Sequence, residues 1–477
     1  MADTGVHIVS LGCARNDVDS EELAGRLQTG GFALVADPAA ARVILVNTCG
    51  FIEQAKKDSI DTILAAAEEA GGQARVVAVG CLAERYGREL AEALPEADAV
   101  LGFDAYADID QRLRRLIAGE RLDTHEPSDR RRLLPVMPVA RPGLASTIAV
   151  PGHGDPVVHS GPASGPRPMR RRLQGGPMAA VKIASGCDRR CAFCAIPSFR
   201  GAFLSRDPHL IVDEVEQLVA DGVREVFLVS ENTTSYGKDF GQLSALEGLL
   251  NSLSKVAGLD WIRLSYLQPA EIRPGLIEAI CATDKVVPYF DLSFQHAAPT
   301  VLRRMRRFGD PEAFLALLGR IRGLAPTAGI RSNVIVGFPG ETEADVAQLL
   351  DFLEAARLDA VGVFAYSDEE GTEAFTLADH VDAAVTAERL DRMSAVTHNL
   401  MEQRAEGRIG ERVRILVESV TDGSATGRAA HQGPDVDPAC LLPEASADIR
   451  VGQFIWGRVT ATEGVDLVVT EEGTHDR

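Results

Sequence analysis

Short apolar runs alternate with helical patterns over the first 120 residues, and three of these runs end beside a cysteine. The runs are Val6–Leu11, Val43–Val46 and Val76–Val79, with helical periodicity between them near Ser20–Thr29 and Ile52–Ala70. Strands that alternate with amphipathic helices are typical of a parallel α/β sheet. We therefore predict a parallel α/β domain over residues 1–120.

Six further apolar runs, again alternating with helical patterns, occupy the middle of the chain. The runs are Val181–Ala184, Glu225–Ser230, Trp261–Leu267, Tyr289–Gln295, Ile330–Gly337 and Val361–Tyr366. The helical patterns lie near Asp207–Asp221, Leu243–Val256, Gly275–Cys281, Pro299–Arg307, Pro311–Leu324 and Thr342–Arg357. Six strand–helix units are too few to close an eight-stranded barrel. They fit a curved, open six-unit (βα) barrel, which we assign to residues 178–406.

The last segment, residues 407–477, changes to a period of two. Val413–Glu418 and Asp466–Val469 have the pattern of strands, and glycine-rich turns lie between them. This pattern predicts a small antiparallel β-barrel. The fold class is therefore α/β, with a β-barrel at the end of the chain.

Residues 121–177 follow neither pattern. Arg141–Pro177 is rich in proline, glycine and arginine, so we interpret this segment as a flexible linker or insertion. We interpret its arginine runs, Arg130–Arg132 and Arg170–Arg172, as solvated charge rather than as an RNA contact. Its histidines His153 and His159 are likewise expected to be solvated rather than bound to a metal.

Composition narrows the class of partner. The chain has 477 residues, a formal net charge of −20 and a pI near 5.0. This acidic balance disfavours nonspecific binding to nucleic acid and favours a basic partner. The sequence has neither an apolar stretch long enough to span a membrane nor a signal-peptide pattern. We expect a cytoplasmic protein of two to four domains with no membrane partner.

Three cysteines follow the strands of the first domain, namely Cys13, Cys49 and Cys81. The carboxyl ends of parallel strands form one edge, where ligands bind, so we expect these thiols at one site. The simplest chemistry for them is a three-cysteine iron–sulfur cluster with an open iron. Cys281 and Cys440 have no cysteine neighbour in the sequence, and we interpret both as structural.

A second set, Cys187, Cys191 and Cys194, lies in one tight loop after the first strand of the predicted barrel. A cubane cluster usually takes four cysteine ligands, so three would leave a position for substrate, as in catalytic metal sites. The alternative is a zinc knuckle. Zinc loops usually use two cysteine pairs, and the sequence has no second pair.

Other strand ends of the barrel carry groups suited to a ligand, since the active sites of such barrels lie there. Glu231 follows the second strand, Gln295 ends the fourth, and Val336 and Gly337 end the fifth. The cluster Arg303–Arg307 ends a helix, where positive charge is favourable. The arginine cluster is at least as consistent with stabilising this helix end as with binding an acidic group of the substrate.

The spacing C-x-x-x-C-x-x-C, with Phe193 before the last cysteine, resembles the radical S-adenosylmethionine (radical SAM) superfamily. The resemblance implies that the open iron binds the amino and carboxylate groups of SAM, and that an electron from the cluster cleaves SAM to a 5′-deoxyadenosyl radical. The residues expected to contact SAM are Phe193, Glu231, Gln295, Val336 and Gly337.

Nearly the whole chain resembles a methylthiotransferase, and the last domain is similar to a TRAM barrel. The motifs that carry the resemblance are Ser10–Cys13, Asn47–Ile52, Gly80–Leu82, the loop Cys187–Cys194 and Ile196–Gly201. Family members carry two 4Fe–4S clusters. By that resemblance Cys13, Cys49 and Cys81 hold the auxiliary cluster, and Cys187, Cys191 and Cys194 hold the SAM-cleaving one.

Three stretches resemble the ribosomal-protein branch of that family: Asp17–Glu21, Tyr366–Thr372 and His431–Asp437. The implied target is the β-carbon of an aspartate in small-subunit ribosomal protein uS12, free or in the ribosome. The implied reaction uses two SAM molecules and an electron donor such as flavodoxin or ferredoxin. From Arg408 onward the chain has twelve Asp or Glu against seven Lys or Arg, a net of −5, which suits a basic ribosomal protein.

Two alternatives remain open at this point. A tRNA-adenosine methylthiotransferase shares the chemistry but needs an RNA-binding surface, and the acidic last domain disfavours tRNA as a partner. A non-catalytic, zinc-stabilised RNA- or ribosome-binding protein would contain zinc and would not cleave SAM. One departure from the family pattern is Ser230-Glu231-Asn232, where many relatives have Gln-Asp at the last two positions.

Overall fold

The computed structural model describes residues 4–130 and 170–472. Its first part is a five-stranded sheet with the order β2-β1-β3-β4-β5, in which every paired neighbour is parallel. The strands are β1 (Thr4–Ser10), β2 (Phe32–Leu34), β3 (Val43–Thr48), β4 (Arg75–Gly80) and β5 (Ala99–Val100). The helices are α1 (Ala14–Thr29), α2 (Glu53–Ala70), α3 (Cys81–Ala93) and α4 (Ile109–Ile117). The predicted parallel α/β domain is confirmed.

The central part is an open barrel of six parallel strands in chain order. They form two three-stranded sheets joined by single bridges, Ile262 to Val286 and Leu267 to Leu292. The six are β6 (Met178–Lys182), β9 (Glu225–Val229), β10 (Trp261–Leu264), β11 (Tyr289–Gln295), β12 (Gly329–Val336) and β13 (Ala360–Ala365), and a small hairpin adds β7 (Ala184–Ser185) and β8 (Leu204–Ser205). The helices are α5 (Ile196–Arg200), α6 (Pro208–Ala220), α7 (Ala245–Leu253), α8 (Pro274–Ala282), α9 (Pro299–Arg304), α10 (Pro311–Leu324) and α11 (Glu343–Ala356).

A 24-residue helix, α12 (Ala383–Glu406), leads to a closed barrel with the order β14-β15-β16-β18-β17. Its strands are β14 (Arg412–Thr421), β15 (Ser424–Ala429), β16 (Cys440–Leu442), β17 (Phe454–Glu463) and β18 (Asp466–Glu472). Four of its strand pairs are antiparallel, as expected. The pair β16–β18 is parallel, because the chain passes through β17 before it returns to close the barrel.

The segment between the first two parts differs from the expectation at both of its described ends. Arg130 is buried and pairs with Glu84 and Asp104, and Arg170 lies 3.4 Å from both Glu21 and Glu214. The interpretation of these two arginines as solvated charge was wrong, since each meets carboxylates of the folded domains. Most of the predicted linker, with His153 and His159, lies outside the described residues.

Candidate active site

The sheet brings Cys13, Cys49 and Cys81 to one edge. β1, β3 and β4 are adjacent strands, with Ser10 opposite Asn47 and Thr48 opposite Gly80, and a cysteine follows each strand end. Cys13 precedes the first residue of α1, and Cys81 is the first residue of α3. A Cβ on Gly12 would lie 3.0 Å from Cys49 Sγ, so the chain after β1 runs directly against the next cysteine.

Two guanidinium groups lie beside these thiols. Arg200 donates to Cys81 Sγ at 3.1 Å and to Asp19 Oδ2 at 3.1 Å. Burial alone would raise the pKa of Cys13, but the charges of Arg15 and Arg200 lower it below its ordinary value. Cys81 is more deeply buried, and burial raises its pKa to about 11. Thiolates form here only with a compensating charge, which a bound metal also provides.

The loop from Cys187 to Cys194 is held at the end of β6 by backbone contacts. Gly186 has φ +79°, and a Cβ there would lie 2.2 Å from Ala202 O, so only glycine fits the turn. Cys187 N donates to Gly201 O at 3.1 Å, and Ala192 N donates to Met305 O at 3.0 Å. These bonds fix the loop at two points on the barrel.

The cysteines of this loop are half-buried, and loss of contact with water raises the pKa of Cys194 to about 12 and that of Cys187 well above its ordinary value. Arg307 lies beneath the loop and donates to Cys191 Sγ at 3.5 Å. It also donates to Gln268 and to the Ser293 carbonyl. Each cysteine set therefore has an arginine that donates to one of its sulfurs.

Glu231 lies between the two cysteine sets. Its side chain is 1% exposed, and Oε1 lies 3.7 Å from both Arg15 Nε and Arg200 Nη1. Within the described residues neither carboxylate oxygen of Glu231, nor the nitrogens Arg15 Nε and Arg200 Nη1, has a hydrogen-bond partner. Buried charged groups without partners are rare in folded proteins and indicate a position for a ligand.

The remaining residues expected to contact SAM lie along the same edge of the barrel. The Phe193 ring meets the edge of the Phe338 ring at 6.5 Å, and Gln295 has φ +72° after an irregularity in β11. Val336 is buried at the end of β12. A Cβ on Gly337 would lie 2.4 Å from a methyl of Thr386, so this glycine also permits close packing of α12.

Sequence reasoning missed the groups that join the two cysteine sets. Lys182 ends β6 and pairs with Asp19 of α1, both fully buried, and Arg15 donates to Ser230 O at 3.0 Å. Asp19 and Arg200 lie in stretches that carry the family resemblance, but no role was predicted for either residue. A signal was available for Lys182, since a lysine that ends an apolar strand requires a buried partner.

The three stretches that resemble the ribosomal-protein branch all make contacts between domains. Asp19 pairs with Lys182 and Arg200. Glu369 accepts from Lys56 and Arg85 of the first domain at 2.9 and 2.8 Å, and Asp437 of the last domain accepts from Tyr289 at 2.7 Å. These stretches fix how the domains sit around the site.

The donor sets suit iron–sulfur clusters. Each offers three thiols, with an arginine donating to one of the sulfurs, and hydrogen bonds to the ligand sulfurs tune such clusters. In residues 4–130 and 170–472, no three Cys, His, Asp or Glu side chains converge on the position of a single metal ion. A cubane spreads its cysteine ligands over separate iron atoms, so the fit rests on the thiol sets and on the unpartnered groups between them.

Comparison with known families agrees with this architecture. Residues 5–102 match the uncharacterized protein family UPF0004, residues 181–353 the radical SAM superfamily, and residues 409–470 the TRAM domain. The solved structure of the radical S-adenosylmethionine methyltransferase TsrM from Kitasatospora setae has a similar fold, with a TM-score of 0.51 and 15% identity over 76% of this chain and 73% of that chain. Fold and cysteine loop define a radical SAM enzyme, a class that uses SAM and a 4Fe–4S cluster.

Two relatives narrow the class. The ribosomal protein uS12 methylthiotransferase RimO of Cutibacterium acnes is 62% identical over 97% of this chain and 97% of its own length. RimO of Saccharopolyspora erythraea is 58% identical over 98% of this chain and 95% of its own. The chain belongs to the RimO family of radical SAM methylthiotransferases, which confirms the resemblance. In the part of the chain that the structure describes, no helix combines the length and apolarity needed to cross a membrane.

Proposed function

We propose that the chain methylthiolates the β-carbon of an aspartate in small-subunit ribosomal protein uS12, with two SAM molecules and two 4Fe–4S clusters. The observation that carries the proposal is the group of buried charges, Arg15, Glu231 and Arg200, that lies between the two cysteine sets. Hydrogen removal and sulfur delivery must reach the same carbon atom, so their two sites must face one space. The names of the RimO relatives support the substrate.

The two cysteine sets have separate roles in this proposal. Cys187, Cys191 and Cys194 hold the cluster that cleaves SAM, and the set of Cys13, Cys49 and Cys81 holds the auxiliary cluster. When bound, the clusters and SAM supply the radical chemistry and hold the sulfur, because no side-chain base can open a C–H bond that lacks acidity.

The polar side chains of the chain orient and balance the charged groups. Arg200 and Arg307 donate to the sulfurs of Cys81 and Cys191, and such charge-assisted bonds favour the thiolate form that a cluster requires. Glu231 would accept from the amino group of bound SAM, since its two oxygens lack partners among the described residues. Phe193, Gln295, Val336 and Gly337 contact the rest of SAM, along the strand ends.

The charge of the last domain supports a basic protein substrate. Three of its arginines bond to carboxylates of the central part: Arg408 to Asp359, Arg414 to Asp260 and Arg428 to Glu225. Exposed carboxylates remain on its surface, at Asp422, Glu444, Asp448 and Glu463. Complementary charge accelerates and orients docking, so this acidic domain suits uS12, free or in the ribosome, and would repel tRNA phosphates.

The proposal also sets the domain roles and the remaining partners. Residues 1–120 carry the auxiliary cluster, residues 178–406 are the radical SAM core, residues 407–477 are the TRAM domain, and residues 121–177 connect the first two. An electron donor such as flavodoxin or ferredoxin completes the reaction, and a ribosomal substrate places it in the cytoplasm.

Metal analysis of anaerobically reconstituted protein tests the two-cluster assignment. Wild type should contain about eight iron and eight sulfide per chain, and Cys49→Ala and Cys187→Ala should each lose about half. Cys281→Ala is the matched control and should keep all of its iron, since Cys281 lies on α8 and packs against the hydrophobic core of the barrel. Loss of iron from Cys187→Ala alone would contradict the assignment of an auxiliary cluster. Zinc in place of iron would contradict the assignment of the chain as a radical SAM enzyme.

A further inference from the structure

Three cationic side chains lie between the two cysteine sets, and two of them are already engaged. Lys182 is fully buried and pairs with Asp19. Arg200 is 3% exposed and bonds to both Asp19 and Cys81. Lys182 is closed in by the carboxylate that it neutralises. Arg200 keeps one unpartnered N–H, at Nη1, but its side chain is almost fully buried, so an incoming substrate reaches it less easily than Arg15.

Arg15 is different. Its Nη1 donates to Ser230 O at 3.0 Å, and its guanidinium carbon lies 4.6 Å from the centre of the Tyr266 ring. Its Nε has no acceptor among the described residues, and its side chain is 13% exposed, compared with 3% for Arg200. A buried N–H without an acceptor costs free energy, so we expect an acceptor from a bound ligand to pair with this guanidinium.

Tyr266, whose ring lies against the Arg15 guanidinium, is held rigidly. Its φ is +53°, in the left-handed region that a tyrosine rarely adopts. Its backbone N–H donates to Asp291 Oδ2 at 2.9 Å, and its carbonyl accepts from Thr233 N at 3.2 Å. Such strained residues persist where the surroundings fix them, often at functional sites. The position of the Arg15 guanidinium is therefore set before any substrate enters.

Glu231 does not satisfy the free N–H of Arg15, because Oε1 lies 3.7 Å from Nε, beyond hydrogen-bond distance. The same oxygen is 3.7 Å from Arg200 Nη1. Glu231 thus balances the two guanidinium groups electrostatically while leaving their N–H groups available.

The proposed reaction at the β-carbon of an aspartate determines where the carboxylate of that aspartate must lie. In an aspartate the β-carbon is bonded directly to the carboxyl carbon, so a β-carbon within reach of both cysteine sets carries its carboxylate into the space between them. Arg15 is two residues from Cys13 and contacts the barrel at Ser230. We propose that Arg15 binds the carboxylate of the substrate aspartate and so selects aspartate over asparagine. This inference rests on the proposed function, and it names the residue that recognises the substrate.

The experiment compares reconstituted wild type with Arg15→Met, Arg15→Lys and Arg42→Met. Methionine keeps much of the length without the charge, and lysine keeps the charge. Arg42 is exposed in the same domain and is the control for loss of a surface charge. Each protein is given recombinant uS12 with either aspartate or asparagine at the target position. The readouts are iron and sulfide content, SAM cleavage without uS12, the dissociation constant for each uS12 form, and kcat/KM for the aspartate form.

We expect Arg15→Met to keep its iron, its sulfide and its SAM cleavage, because Arg200 remains as a positive charge beside Cys13 and Cys81. Its kcat/KM for the aspartate form should fall at least about 30-fold, the loss expected when one partner of a buried charge pair is removed. Its affinity should no longer distinguish aspartate from asparagine. Arg15→Lys should recover part of the preference, and Arg42→Met should match wild type.

An Arg15→Met protein that still prefers aspartate would overturn the proposal. Loss of iron from that variant would also overturn it, because Arg15 would then support the auxiliary cluster rather than the substrate. A wild-type enzyme that leaves uS12 unmodified would instead refute the proposed function, and with it the inference. The wild-type reaction therefore separates the two failures.

Discussion

Gly12 and Cys49 are packed so closely that the loop after β1 requires glycine. Gly12 has φ +99°, and a Cβ there would lie 2.9 Å from Cys49 Cβ and 3.0 Å from its Sγ. Two constraints therefore act at one residue, the left-handed backbone and the neighbouring cysteine. The second constraint links this position to the proposed auxiliary cluster.

We predict that Gly12→Ala displaces Cys49 and lowers the iron content of the reconstituted protein by up to about half, the share of one cluster of two. Gly119→Ala is the matched control, because Gly119 has φ +89° with nothing within 4 Å of an added Cβ. It should cost backbone strain but no iron. Iron and sulfide analysis checks both variants. Equal iron loss from the two would show that strain, not the contact with Cys49, is responsible.

At the scale of elements, the stretch 121–130 is packed on α3 as a strap. His125 N donates to Val100 O at 3.2 Å, and a Cβ on Gly102 would lie 2.3 Å from the His125 ring. Glu84 of α3 meets both His125 and Arg130. Burial opposes the charge of His125, but hydrogen bonding to Glu84 raises its pKa above the ordinary value.

The strap should therefore loosen as pH rises. A raised histidine pKa gives stability that is complete below about 6.5 and is lost as pH rises through the folded value. We predict that His125→Gln increases hydrogen–deuterium exchange of residues 121–130, relative to wild type at the same pH, more at pH 6 than at pH 8.5. The difference should be about 1 kcal/mol, since bonds to charged groups exceed neutral ones by that amount. An effect that does not depend on pH would contradict the charged pair.

At low pH, protonation of Glu84 should also weaken the packing of the strap. Burial would raise its pKa, but hydrogen bonding to His125 and the charge of Arg130 lower that pKa below its ordinary value. Its contribution is therefore present above about pH 4.5 and is lost as pH falls through the lowered value. The strap should be tightest between these two limits.

The elements themselves were largely predictable from sequence. The strand ends, and the cysteines that follow them, were predicted from the apolar runs and from the rule that parallel strands end at one edge. Arg130 was wrongly interpreted because a run of three arginines was judged by composition, while its partner Glu84 lies 46 residues earlier. The parallel pair β16–β18 was missed because a period of two does not give strand direction.

Contacts between domains were beyond sequence reasoning. Arg15 and Ser230 are 215 residues apart, and Arg200 and Cys81 are 119 apart. No local pattern connects such pairs, since the two residues of each pair lie in different domains and meet only in the folded molecule. The contacts that join the two cysteine sets are therefore the part of the candidate site that required the structure.

At the scale of the whole molecule, a buried ion group docks the last barrel on the central one. Glu225 accepts from Arg263 at 2.6 Å and from Arg428 at 2.7 Å, with all three side chains nearly or fully buried. Beside them Trp261 packs on Phe454 with 4.7 Å between ring centres. Arg428 and Phe454 belong to the last barrel, so charge and aromatic packing both cross this interface.

We predict that Arg428→Met destabilises the interface by about 3 kcal/mol, because it leaves a buried carboxylate with one partner fewer. Trp261 is one of two tryptophans in the chain, so its fluorescence during urea titration reports undocking. Arg458→Met is the matched control in the same barrel, since Arg458 pairs with Glu472 at the exposed surface and such pairs contribute less than about 1 kcal/mol. Equal shifts from both variants would argue against a special role for Glu225.

The central claim is that the enzyme inserts a methylthio group into an aspartate of uS12. The most direct test is mass spectrometry of uS12 and of tRNA after each is incubated with reconstituted enzyme, SAM and a reductant, with Cys49→Ala and Cys187→Ala in parallel. We predict a methylthio group on one aspartate of uS12, none on tRNA, and none with either variant. Methylthiolated tRNA adenosine, or uS12 left unmodified by an enzyme that cleaves SAM, would contradict the account.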